Sequence, residues 1–123
     1  MKAMLLPCFA LAMTECLAQP VKATPYPYSL SGNQFVYMMT LPEPLSSYDY
    51  MQREKAYSYL EGAKDATVGM AWCPPRPRKT FELAYDAADY IKSLTLEERK
   101  RSAAIMLLAY LGSQYPCPKG SKP

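Results

Sequence analysis

The four cysteines of this chain fall into two groups, and the grouping constrains what it can fold into more than any other feature. Cys8 and Cys16 lie near the beginning, inside a segment that has the pattern of a removable leader. Cys73 and Cys117 lie in the remainder, each beside proline, in Cys73-Pro74 and Pro116-Cys117-Pro118. The leader pattern is Met1, Lys2, an apolar run from Ala3 to Met13, the more polar Thr14-Glu15, and the small-residue site Cys16-Leu17-Ala18 before Gln19. It predicts a secretory signal over residues 1–18, cleaved after Ala18. The run is well short of the ~20 residues that span a bilayer, Pro7 sits inside it, and no later stretch is long enough. No membrane insertion is therefore expected once the signal is removed. Glu15, where a small residue is wanted, disfavours a lipoprotein anchor on Cys16.

Cleavage leaves Cys73 and Cys117 as the only thiols, in an oxidising compartment where an even pair is expected to be a disulfide. There is no CxxC, and no metal-ligand spacing accompanies them. In the chain-entropy model such a bridge stabilises by roughly 3 to 4.5 kcal/mol, a large share of a small domain's stability. The chain contains no histidine. Ser-His-Asp and Cys-His catalysis, the HExxH zinc site and histidine-ligated haem are excluded, because each needs an imidazole as base or ligand. At 123 residues, half of them hydrophobic, the chain is one domain at most. The net charge of +3 comes from basic residues scattered among nearly as many acids, so no nucleic-acid partner is expected.

Residues 19–30 carry Pro20, Pro25 and Pro27 with Tyr26 and Tyr28, and form an extended lead. Ser31 caps a short apolar helix through Phe35, Met38 and Leu41 that Pro42 and Pro44 stop. Asp49 caps a second helix, with Met51, Ala56, Tyr59, Leu60 and Ala63 on an apolar side and Arg53, Glu54, Lys55, Glu61 and Lys64 on a solvated one. Gly62 in that helix predicts the close approach of another backbone. Thr67 to Lys79 is a loop, and Thr80 caps a third helix whose Phe81, Ala84, Ala87, Ala88 and Ile91 share one face. Thr95-Leu96-Glu97-Glu98 is a capping box that opens a fourth helix through Ala103, Leu107 and Leu111, ended by Gly112 and Pro116. The pattern predicts an all-α domain, a small bundle of about four helices stapled by one disulfide that clamps the third and fourth helices at their open end.

No residues have the spacing of a catalytic or cofactor site. Asp86 and Asp89 belong to a solvated face, Glu97 and Glu98 to a negatively charged first turn. The glycines form neither a phosphate loop nor a dinucleotide fingerprint, so no catalytic residue, metal or cofactor is expected. Two constellations could bind a partner. The loop Trp72-Cys73-Pro74-Pro75-Arg76-Pro77-Arg78-Lys79 is stiffened by three prolines and the disulfide, and displays an aromatic residue with three cations. Such a loop loses little entropy on binding, and Trp and Arg are common hot-spot residues. Burial is the alternative for Trp72, and the more ordinary one. The second constellation is the charged corner Ser93 to Arg101, with Glu97, Glu98 and Arg99.

The order of these pieces resembles the Tai/Rap-type immunity proteins of type VI secretion systems. The pieces are Gly32-Asn33-Gln34-Phe35, the helix end Tyr59-Leu60-Glu61-Gly62-Ala63-Lys64-Asp65, Trp72-Cys73-Pro74-Pro75, Tyr90-Ile91, Ala103-Ala104 through Leu108, and Tyr115-Pro116-Cys117-Pro118. The resemblance implies that residues 31–118 form a helical immunity-protein domain, followed by a tail, 119–123. It implies a periplasmic, non-enzymatic inhibitor, often a homodimer, that occludes the active site of a cognate peptidoglycan amidase. One departure is that relatives often have a further cysteine pair near the positions of Met39 and Ala56. The alternative function is a periplasmic helical binding or structural module with no toxin partner.

Overall fold

The computed structural model describes residues 27–120. The expected signal peptide, with Cys8 and Cys16, and most of the N-terminal lead, Tyr26 included, lie outside the described residues. So does the end of the C-terminal tail.

Five helices follow one another: α1 Gly32–Met39, α2 Ser47–Thr67, α3 Thr80–Ser93, α4 Leu96–Arg99 and α5 Ala103–Gln114. The described residues hold no strand, only two isolated bridges, Ser31 with Ser102 and Val68 with Trp72. The fold is all-α, as expected, with one more helix than the sequence pattern predicts. The short α1 lies in the middle and touches all four others. Phe35 from α1, Leu60 from α2, Leu83 and Ile91 from α3, and Leu107 and Leu111 from α5 meet there with essentially no exposure. The alanines of α3, Ala84, Ala87 and Ala88, are buried too. Their small side chains let helices approach closely, while the aliphatic and aromatic residues supply most of the buried area.

Helix starts are set by short-range hydrogen bonds. Ser31 caps α1 in a full capping box: its Oγ accepts from Gln34 N at 3.2 Å, and Gln34 Oε1 accepts from Ser31 N at 2.8 Å. For α2 the cap is Ser46 rather than Asp49. The Ser46 hydroxyl accepts from Asp49 N at 3.1 Å and donates to Asp49 Oδ2 at 2.8 Å. Asp49 thus sits in the first turn, where a carboxylate also favours the helix dipole. Thr80 likewise lies inside α3, whose N-cap is Lys79; its hydroxyl is engaged elsewhere.

The Thr95 capping box forms, with Glu98 Oε2 accepting from Thr95 N at 2.8 Å, but the helix it opens is only four residues long. Gly32 N donates to Arg101 O at 3.0 Å and Ala103 N donates to Leu30 O at 2.9 Å. The extended residues before α1 therefore take backbone groups that a continuous helix would have paired internally. A β carbon on Gly32 would lie 3.1 Å from Arg99 O and closer still to the Met106 thioether, so the crossing is tight. A long-range contact thus divides the expected fourth helix in two.

The apolar side of α2 is also narrower than its pattern suggests. Met51 is 66% exposed, whereas Arg53 and Lys64, expected on the solvated side, are buried at 8% and 6%. Arg53 donates to Glu43 Oε1 at 2.6 Å and to Leu41 O at 2.8 Å, which ties down the α1–α2 connection. Burial alone would lower the Arg53 pKa; the hydrogen bond to Glu43, together with the charges of Tyr85, Glu43 and Tyr57, offsets this and leaves it raised. The expected close approach at Gly62 is absent, since nothing lies within 4 Å of where its β carbon would be. The close approach occurs instead at Gly112, within the last turns of α5, 3.0 Å from Ala71 O by the same construction.

Cys73 and Cys117 form the disulfide, with a sequence separation of 44 residues. It joins the loop before α3 to the segment after α5, the open end of the expected clamp. Replacing both cysteines by alanine is expected to lower unfolding free energy by about 4 kcal/mol, the chain-entropy value for a loop of this size. Urea denaturation checks this, and a loss well under 1 kcal/mol would show that packing alone holds the ends together.

Candidate partner-binding site

The proline loop is held from three sides. Trp72 at its start is 2% exposed. Its indole Nε1 donates to Lys64 O at 3.2 Å, and its ring meets Tyr115 edge-on at a centroid distance of 5.9 Å. Next to it Cys73 N donates to Tyr115 O at 2.8 Å, and the disulfide fixes the same residue to Cys117. At the far end of the loop the Lys64 ammonium donates to Arg78 O at 3.1 Å and to Thr80 Oγ1 at 2.7 Å, and its third partner is Glu61 Oε2 at 3.3 Å. A buried ammonium requires such company, because an unpaired one is heavily penalised. Lys64 therefore grips both ends of the loop, the first through its carbonyl and the second through its side chain.

The sequence-predicted contact residues separate accordingly. Trp72 lies beneath the loop and anchors it, with burial winning over display. Arg78 is half-buried, its guanidinium 5.5 Å from the centroid of the Tyr115 ring, with Nε enclosed and unpartnered. Arg76 and Lys79 are exposed, and Lys79 Nζ stands 5.7 Å from the Phe81 ring centroid. Pro75 and Pro77 are exposed between them. Under the loop runs a groove of about 510 Å³, with Glu61, Lys64 and Asp65 on its α2 wall and Pro74, Arg76 and Arg78 on its loop wall.

Glu97, Glu98 and Arg99 are elsewhere. The loop adjoins Tyr115 after α5, while α4 precedes the start of α5 and follows the end of α3. At 1.5 Å per residue, the twelve residues of α5 hold the two clusters about 18 Å apart. They do not form one site. At the α4 corner Glu98 is committed to its cap: hydrogen bonds from Thr95, backbone first and then hydroxyl, hold its carboxyl below the ordinary value. Glu97 pairs with Lys100 at 2.6 Å, and Arg99 is half-buried. Leu96 is 65% exposed at the tip.

Lys64, Thr80 and Tyr115, which give the loop its shape, are absent from the sequence-derived set of site residues. A signal was available for Lys64. Counting from Arg53, Ala56, Leu60 and Lys64 follow at i+3, i+7 and i+11, one face of a helix, and that face is the buried one. A lysine on it must be paired.

The perturbed tyrosines do not point to catalysis. Burial raises Tyr57 to about 12, helped by the hydrogen bond with Tyr85, and burial beside Asp86 raises Tyr110 to about 12. Both are held neutral, the opposite of what a phenolate base needs. Among the described residues no group of three His, Cys, Asp or Glu is placed to hold a metal ion, and no helix is long and apolar enough to cross a membrane.

Lys64→Met keeps the alkyl stem but leaves the Arg78 carbonyl and the Thr80 hydroxyl without their donor. It is expected to cost about 1 to 3 kcal/mol and to accelerate amide exchange at Cys73, which hydrogen exchange by mass spectrometry detects; unchanged exchange would remove the gripping role. A tyrosine whose pKa is raised on folding contributes stability that is complete below its unfolded value and is lost as pH rises. From an ordinary value of 10.0 to folded values of about 12, stability should fall across that alkaline window. Tyr110→Phe should make the fall shallower, as urea midpoints across the window would record.

The model of one known family, the Rap1a immunity proteins, matches residues 31–117. No curated protein matches the chain.

Proposed function

Because this chain belongs to the Rap1a immunity protein family, we propose that it is a periplasmic immunity protein. In this proposal it binds a cognate peptidoglycan amidase delivered by type VI secretion and occludes that enzyme's active site. The signal over residues 1–18 would export it to the compartment where such a toxin acts. The observation that supports the proposal best is the family match itself, which runs from the α1 cap to the second disulfide cysteine and so takes in the whole helical domain. The loop adds physical support. An inhibitor works by shape and needs no chemistry of its own, and a loop ordered before the encounter loses little entropy on binding.

Within the proposal Arg76 and Lys79 touch the toxin directly, Arg78 contributes from its half-buried position, and Trp72 acts through the loop it anchors. Glu97, Glu98 and Arg99, at the far end of α5, would reach a second part of the toxin surface or a second copy in a homodimer.

The test is co-expression in the periplasm with an amidase encoded beside the gene. Growth should be rescued, and the two proteins should elute together in size exclusion with a fixed stoichiometry, which also reports the oligomeric state. Unrelieved toxicity with no complex would favour a helical module without a toxin partner.

A further inference from the structure

The loop alone is small for a stable interface. Standard interfaces take about 20 to 30 residues a side, whereas only Pro75, Arg76, Pro77 and Lys79 of residues 72–79 are exposed. What continues from the loop is the shallow furrow between α2 and α3. Two cross-links set its register: the Tyr57 and Tyr85 hydroxyls are 3.5 Å apart, and Lys64 Nζ is 2.7 Å from Thr80 Oγ1. The helices thus run antiparallel, and Thr80, with Glu61, Gly62 and Asp65 of α2, lines an open groove of about 440 Å³. Glu61 and Asp65 also form a wall of the groove under the loop, so the two are one continuous surface.

The furrow has the composition of a binding face. Tyr50, Tyr85 and Phe81 are 57%, 46% and 51% exposed. Tyr50 and Tyr57 are seven residues apart on α2, and Phe81 and Tyr85 are four apart on α3, so each pair shares a row. Gly62, within the 21-residue α2, has open space where its side chain would be. A glycine there weakens the free helix, and no neighbour among the described residues crowds the position of its missing β carbon.

Charge decides the occupant. Glu54, Glu61 and Asp65 stand at i, i+7 and i+11 along the α2 rim, and Asp89 continues the Phe81–Tyr85 row on α3. Of the cations beside them, Lys64 is buried against Glu61, Lys92 lies 3.7 Å from Asp89, Lys79 stands 5.7 Å from the Phe81 ring centroid, and Arg76 and Arg78 form the opposite wall of the groove at the loop end of the rim. Glu54 and Asp65 have no ion-pair partner among the described residues. This acidic rim belongs to a chain whose net charge is +3 and whose exposed cations include those at the loop and the α4 corner. Aromatic faces between carboxylates attract lysine and arginine side chains, by cation–π contact and by ion pairing, and they repel phosphate.

We infer that the α2–α3 furrow is the part of the toxin interface that adjoins the loop, and that it takes a basic, lysine- or arginine-bearing segment of the toxin surface. The inference rests on the proposed immunity function for the existence of the partner; the furrow's geometry and charge specify where and how that partner docks.

The test is calorimetric titration of the mature chain with an inactivated cognate amidase, at low and at physiological salt. The double variant Glu54→Lys, Asp65→Lys should bind at least about tenfold more weakly, with a flatter salt dependence than the wild type. Tyr85→Ala should bind more weakly at both salt concentrations. Circular dichroism melting near that of the wild type verifies that these exposed substitutions leave the fold intact. Double-variant affinity within twofold of the wild type overturns the inference and leaves the immunity function standing. The inference is overturned equally if the variants instead dissociate a homodimer without changing toxin affinity. Absence of any complex with the wild-type chain sinks the immunity function, and the inference falls with it.

Discussion

Lys64 is a charged group with almost no access to water, in a domain that could have placed an aliphatic residue at the same point. Its burial is tolerable because all three ammonium protons have oxygen partners and because its alkyl stem lies along the same face as Leu60 and Ala56. The same residue's carbonyl receives the Trp72 indole. One side chain and one carbonyl therefore decide where the loop leaves α2 and where it rejoins the bundle at α3. The disulfide and Tyr115 then fix the loop laterally against the end of α5. Without the Lys64 contacts, the bridge would still close the covalent loop but would not define the path of residues 74–79, since a cross-link restricts distance and not direction.

Much of the fold is legible from local chemistry. Ser31 and Thr95 announce helix starts because a hydroxyl and an amide or carboxylate three residues on complete a closed set of hydrogen bonds that needs nothing from the rest of the chain. The α3 face is legible in part, since Ala84, Ala87, Ala88 and Ile91 repeat at helical spacing and are buried, whereas Phe81, expected with them, is exposed and Leu83 takes its place; the Cys73–Cys117 pair is legible because each cysteine stands beside proline outside the leader-like segment. The features that escape are those decided at a distance. Asp49 and Ser46 are both competent caps, and Ser46 prevails because Asp49 can then serve as its partner in the first turn. The break between α4 and α5 is made by Leu30 and Gly32, some seventy residues earlier in the chain, and its one local signal is Ser102, which stands at the α5 N-cap without a side-chain cap bond.

The candidate site shows the same division. The loop is recognisable from its prolines and cations, and of the two readings open for Trp72 burial prevails, because the indole N–H has a buried carbonyl to satisfy and the ring has Tyr115 to lie against. The charged α4 corner, read from the sequence as a second constellation, lies apart from the loop because the twelve residues of α5 separate the two regions. Charge patterns in a linear sequence carry no distance, and a rod of twelve residues is enough to separate two patches that look alike on paper.

On the proposed binding face, the distribution of charge would set selectivity. Arg76 and Lys79 present cations from the loop, while Glu54, Glu61, Asp65 and Asp89 present carboxylates along the adjoining furrow. A surface that complements one part by charge alone is repelled by the other. A partner for this face would therefore carry acidic and basic patches in matching order and at matching separation, and the wrong order would be penalised by like-charge contact. This constraint needs the loop to hold still relative to α2, since a mobile cationic loop could fold back onto the Glu61 and Asp65 carboxylates and neutralise the pattern. Lys64 prevents that. It occupies Glu61 from within and holds the carbonyl of Arg78, so the two charge fields remain side by side for a partner to read.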